Sequence, residues 1–263
     1  MGAASEDGVV VEFLAIGTVG LLPAFLILLQ ALRTRNLARY GYFHCYVASA
    51  VFGSVILILI RIADPLLFQK CYWPIQFITL ILGYGIILEI LRHVFSPYPG
   101  VERFARLLGL ATLAATCCFA LVYPLIVPPP SHVGPYGEIE RGVRAAQTIL
   151  LICVLGVISH YEIPLGRNMR GMILGYGLYV ATSLVGLALA AHAGTWLITV
   201  WRYAQPISFD ISLLIWLVAL WSYAPNPVPN ADTHLEQDYD ALVVRTKVVI
   251  GVLRSHLFKA VRS

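Results

Sequence analysis

Seven apolar runs follow one another along the chain, near residues 9–32, 41–60, 73–95, 105–127, 142–160, 169–191 and 206–223. Each holds between 18 and 24 residues, enough at about 1.5 Å per residue to cross a hydrocarbon layer of about 30 Å. Lipid offers no hydrogen-bond partners, so each run must satisfy its own backbone as a helix. No run alternates apolar with polar at a period of two, which excludes an outer-membrane barrel. The last run has the least defined start, because Trp196 to Tyr203 before it is also apolar. Beyond Pro225, Pro227 and Pro229 the pattern changes. Leu235, Tyr239, Leu242, Thr246, Ile250, Leu253, Leu257 and Val261 recur at spacings of three or four, the period of an amphipathic helix over 235–262. Its acidic residues come first and its bases later, as a helix dipole prefers. The pattern predicts an all-α fold: a seven-helix transmembrane domain over 1–223 and a cytoplasmic tail over 224–263 carrying one amphipathic helix.

Composition agrees. The chain is 59% apolar and 12% charged, where a soluble domain carries about 25% charged residues. The 263 residues are used up by the spans and short connections, leaving no length for a second folded domain. The net charge of +4 comes without a basic block of the kind that tracks a phosphate backbone, so no nucleic-acid partner is expected. Cys45, Cys117, Cys118 and Cys153 fall in apolar runs and Cys71 in a connection, with no CxxC spacing; neither a disulfide framework nor a zinc site is expected. The acidic start lacks the features of a cleaved secretory signal, and Glu6 stands where a myristoylation site needs Ser or Thr.

Orientation follows from the basic residues at the connections. Arg33, Arg35, Arg39, Arg92, Arg103, Arg106, Arg167, Arg170 and the tail's Arg245, Lys247, Arg254, Lys259 and Arg262 lie on one side, thirteen in all. Arg61, Lys70, Arg141, Arg144 and Arg202 lie on the other, which makes five. The asymmetry predicts a plasma-membrane protein of the bacterial inner-membrane type, with the N-terminus outside and the tail in the cytoplasm. Aromatic side chains mark both interfaces, Tyr72 and Trp73 among the outer ones, Tyr40, Tyr42, Tyr98 and Tyr223 among the inner.

Few residues carry chemistry. Glu89 lies about one and a half turns inside the third span, with Arg92 and His93 three and four residues on, on the same face. An ionisable group in a span is a functional candidate by default; the structural alternative pairs it with Arg92 or with a neighbouring helix. His44, His93 and His160 come near inner ends of three spans, so a haem or metal site between helices is one reading. No ExxH or HxxxH pair supports it, and no metal or cofactor is expected. Asp210 opens the last span, where a loop-end cap or a pair with Arg202 is the plain expectation. No lysine falls within a predicted span, which excludes a retinal Schiff base. Gly171, Gly175 and Gly177 form a small-residue face for close helix packing. The segment Ile81–Gly85 recurs as Ile173–Gly177, in spans that run oppositely, as in an inverted repeat; the flanks do not match, and chance recurrence in an apolar, glycine-rich chain is the plainer reading.

The stretch from Trp73-Pro74 to Gly100, with Glu89, Arg92, His93 and Pro97-Tyr98-Pro99-Gly100, resembles the uncharacterised seven-helix membrane proteins of some bacteria. In plan it also resembles the membrane input module of seven-helix sensor kinases. That resemblance implies a receptor-like bundle and brings no catalytic motif; no kinase or cyclase domain follows the tail, so output passes through a partner. Three functions stand open: a non-enzymatic sensor or interaction protein that meets the lipid bilayer and a cytoplasmic protein partner through 235–262, a small transporter or permease subunit, and a haem or metal redox protein.

Overall fold

The computed structural model describes residues 3–34, 36–126, 135–190, 195–228 and 234–262. Eight α-helices follow in chain order: α1 (Ala3–Thr34), α2 (Gly41–Ala63), α3 (Pro65–Phe95), α4 (Pro99–Ile126), α5 (Pro135–His160), α6 (Arg167–Ala190), α7 (Thr195–Leu220) and α8 (Leu235–Arg262). Among the described residues there is no strand, and the architecture is an all-α bundle. Six helices, α2 to α7, are long and apolar enough to cross a membrane, and Val19–Thr34 of α1 adds a shorter apolar stretch. The protein is therefore a multi-pass membrane protein.

The helices are longer than the apolar runs, and the differences have local causes. α2 and α3 are separated by Asp64 alone. Its carboxylate accepts from the backbone N–H groups of Leu66 and Leu67 at 2.8 and 3.2 Å, and Pro65 takes the first position of the helix, where its missing N–H costs nothing. Cys71 and Lys70, expected in a connection, thus lie in the first turns of α3; Lys70 is exposed there, at the helix end. α7 begins at Thr195, so Trp196 to Tyr203 belongs to it. Residues 127–134, Arg35 and the first two residues lie outside the described ones, as do the side chains of Arg202, Tyr123 and Trp196.

Packing is circular, each of α1 to α7 against the next and α7 back on α1, with α3 also reaching α5 and α6. α3 is the central post: 56% of its membrane-length window is buried, against 17% for α2 and for α4. Outward, Leu22, Phe25, Phe52, Leu59, Leu107, Leu121 and Val218 are exposed, an apolar girdle of an extent that suits lipid and not water.

The most extensive pairing joins α6 to α7. Without hydrophobic drive between helices in lipid, close backbone approach and dispersion must hold them together. Gly171 faces the Ala219 methyl and Gly175 faces the Trp216 indole, whose Cδ1 would sit 2.8 Å from an added Cβ. Trp216 is fully buried, and its indole N–H points to the Met172 carbonyl at 3.4 Å. Its rings also meet Phe43 of α2 edge-on at 5.1 Å. Gly177 lies elsewhere, against Leu151 of α5. The two Ile-Leu-Gly-Tyr-Gly segments have unlike surroundings: Gly83 faces the Tyr176 hydroxyl, whereas its counterpart Gly175 faces an indole.

Overpacking a tight contact costs about 1–3 kcal/mol. Gly175→Leu is expected to lower the thermal unfolding midpoint in mild detergent by several degrees. Gly156→Leu, at a position open to its surroundings, is expected to leave it unchanged.

Candidate functional site: a polar cavity walled by a buried ion pair

The two ends of the bundle differ in kind. At the end rich in arginine, where α1, α3, α5 and α7 finish, backbone groups are tied down by side chains from other helices. α2 starts at Tyr40, which supplies no side-chain cap. Glu89 of α3 supplies it instead: its carboxylate accepts from the Phe43 N–H at 2.9 Å and also faces the N–H groups of Tyr42 and Gly41. These are donors that a helix start leaves without intrahelical partners, and negative charge there is favoured by the helix dipole. Glu89 is buried, while Arg92 is exposed and is only a nearby charge.

His44 and His93 belong to the same seam. The Nδ1 atoms of His44 and His93 lie 2.6 and 2.9 Å from the carbonyls of Tyr40 and Glu89, each four residues earlier. The His93 ring also leans on Tyr40, centroids 5.1 Å apart. Burial pushes the Tyr40 phenol up to about 12, so it stays neutral beside the carboxylate. His160 is exposed, its ring edge-on to Tyr161. The three histidines do not converge, and among the described residues no group of three His, Cys, Asp or Glu is placed to hold a metal.

The segment after α7 completes this end. Asn226 donates to the His93 carbonyl at 3.1 Å and accepts from the Gly166 N–H at 3.0 Å. Asn168 accepts from the Ala224 N–H at 2.9 Å. Arg167 donates to the Ser222 carbonyl at 3.0 Å. Arg39 stacks over the Tyr223 ring at 3.7 Å. Every one of these contacts crosses between elements, and together they close the floor of the bundle.

Toward the opposite end the bundle opens. A cavity of about 360 Å³ lies between α2, α3, α6 and α7, lined among others by Tyr46, Ser49, Gln76, Thr79, Tyr179 and Gln205. Its volume falls in the range of small-molecule sites. Ser49 and Thr79 hydroxyls bridge α2 to α3 at 3.1 Å. Pro206 and Phe209 supply the wall from α7, and Phe209 packs on the Tyr179 ring at 5.1 Å.

Behind that wall is a buried ion pair. Arg144 of α5 is fully buried, and its Nη2 lies 3.6 Å from Oε1 of Glu140, one turn earlier and also buried. Nη2 donates to the Tyr179 hydroxyl at 3.0 Å, and the guanidinium carbon stands 4.7 Å from that ring's centroid. Gln76, from the cavity lining, donates to the same Glu140 oxygen at 3.1 Å. Gln147, one turn after Arg144 (three residues on), donates to the Leu80 carbonyl of α3 at 3.0 Å. Arg144 Nε and Nη1, Gln147 Oε1 and the Tyr176 hydroxyl have no protein partner. A charged group so placed is expensive unless paired and hydrogen-bonded. Tyr179 and Gln76 therefore each hold the pair with a polar atom while presenting the rest of the side chain to the cavity.

The sequence pattern places Arg144 among the connection bases; the structure buries it inside the bundle. The sign is present, since Glu140 precedes the 142–160 run while Arg144 and Gln147 lie within its first turns at helical spacings, but a base two residues inside a span start counts with the connection. Asp210, expected at a helix start, is instead well inside α7. It faces Gly20 of α1, where any side chain would collide with its carboxylate.

The chain matches no protein family, no curated protein and no solved structure.

Removing one partner of a buried pair costs about 3–5 kcal/mol. Arg144→Met is expected to lower stability and yield strongly, and Arg144→Met with Glu140→Gln is expected to recover much of the loss. Glu89→Ala, which strips the α2 start of its acceptor, should cost about 1–2 kcal/mol. Glu89→Gln keeps one acceptor oxygen and should cost less. Thermal unfolding of each purified variant in one detergent checks all four.

Proposed function

We propose that this chain is a non-enzymatic sensor of a bacterial inner membrane, binding a small polar molecule within its bundle and relaying occupancy to its opposite face. The observation that carries this reading is the asymmetry of the bundle: a polar cavity at one end and a hydrogen-bonded floor at the other. The positive-inside asymmetry sets the floor and α8 in the cytoplasm and the cavity toward the outside. The N-terminus is then outside, and a cytoplasmic protein partner reads the state of the floor and of residues 235–262.

The lining favours a molecule without net charge. Arg144 and Glu140 neutralise each other, and the remaining polar groups are hydroxyls and amides. A lone ion would lose its hydration with no opposite charge to meet it. Tyr46, Tyr72, Tyr179 and Phe209 offer faces for an apolar or aromatic side of the same molecule. Trp216, packed below Tyr46 at 6.2 Å and wedged between α6 and α7, joins the cavity wall to the floor.

The purified protein is to be heated with glucose, inositol or nicotinamide, and with acetate and choline as charged comparators. At least one uncharged probe is expected to raise the unfolding midpoint by a few degrees, and Ala50→Phe, which fills the cavity, is expected to abolish the shift. No response to any uncharged probe, or a response that survives Ala50→Phe, refutes the reading. Proteoliposomes that equilibrate the stabilising probe across the bilayer would make the chain a transporter instead.

A further inference from the structure

We infer that α8 is a surface helix whose apolar face lies in a bilayer leaflet carrying anionic headgroups. This does not depend on what the cavity binds. Among the described residues, the contacts of α8 with the bundle are at its start. Gly100 N–H donates to Glu236 at 2.7 Å, the Tyr161 hydroxyl donates to Asp238 at 3.1 Å, and Tyr239 meets the Phe104 ring at 6.1 Å. Leu235 is buried there. Gly100 is needed for the approach, since an added Cβ would stand 2.8 Å from the Tyr239 ring.

These partners fix the depth and the facing of the helix. Gly100 and Phe104 are in the first turns of α4 and Tyr161 follows the last residue of α5, so α8 departs from the level where two membrane-crossing helices meet the headgroups. At about 100° per residue, Leu242, Val249 and Ile250 project from the same side as Leu235 and Tyr239. The side turned toward the bundle end is therefore the side that continues outward, and there Leu242, Val249 and Ile250 are 61%, 56% and 58% exposed. The sequence prolongs the stripe with Leu253 and Leu257. Its breadth, with Val243 at one margin, exceeds the narrow seam of a coiled-coil pair and suits an interface.

Charge selects the surface. From Ala241 to the end the chain has Arg245, Lys247, Arg254, Lys259 and Arg262 and no acidic residue. Such bases flanking an apolar face add attraction for anionic lipid. The acidic residues Glu236, Asp238 and Asp240 are confined to the first two turns, and the first two of them are taken up by the bundle.

The test uses the full chain with its five cysteines replaced by serine, accepted only if its unfolding midpoint is kept. Single cysteines at Leu242, Ile250 and, on the polar side, Ala241 carry a nitroxide in nanodiscs of phosphatidylcholine with or without 30% phosphatidylglycerol. Power saturation then compares access by oxygen and by a water-soluble nickel chelate. At 242 and 250 the oxygen-to-nickel ratio is expected to exceed that at 241 several-fold, and more so with phosphatidylglycerol. Arg245→Glu with Lys247→Glu is expected to remove the dependence on anionic lipid. Equal nickel access at 241, 242 and 250 overturns the proposal. So does protection from both reagents at 242 and 250, or spin–spin broadening, which would indicate a protein partner or a second copy on that face. A lipid response that ignores the charge reversal overturns the choice of headgroup.

Discussion

The arrangement of the core turns on one fully buried cation. Arg144 is fully buried, and a guanidinium in that position needs groups that compensate its lost hydration. Glu140 provides the opposite charge one turn away, Tyr179 a hydroxyl and a ring face. Gln76, by bonding Glu140, carries the network from α5 onto α3, and Gln147 anchors a second point between the same two helices. Polar residues on three helices, α3, α5 and α6, are thereby drawn together. Where their side chains cannot fill the space between α2 and α7, the polar cavity remains.

The opposite end obeys the same rule with a different outcome. Helix ends carry free N–H and C=O groups that lipid cannot satisfy. Here they are met across helices, by Glu89 for the start of α2, by Asn226 for the end of α3 and by Asn168 for the chain after α7. A floor built of directed hydrogen bonds resists gradual deformation. It is suited to hold one arrangement or change to another. The pairing of α6 with α7 through Gly171, Gly175 and Trp216 links this floor to the cavity above. The link is mechanical, because a large indole seated on a glycine cannot shift without moving one of the two backbones.

The candidates read from sequence divide along the same line. Glu89 was visible as an ionisable residue in a span, and the structure shows the ordinary physical reason for it, a neighbouring helix start that lacks its own cap. His44, His93 and His160 share a depth but not a direction. Depth follows from counting along one helix; direction depends on how helices rotate against each other. Arg144 is visible as an arginine just inside the start of an apolar run and counts there with the loop residues, since a charge near a span end normally reaches water.

What the sequence by itself determined is the solvent and the secondary structure. Runs of 18 to 24 apolar residues leave only helices available in lipid, and the three-to-four spacing over 235–262 leaves only an amphipathic one. These are local constraints, each satisfied within its own segment. What the tertiary structure alone decided is which polar groups face each other: Glu89 and α2, Arg144 and Tyr179, Glu236 and Gly100. A buried polar side chain announces only that it needs a partner. The partner's identity depends on helix rotation and register, which residues far apart in the chain set together.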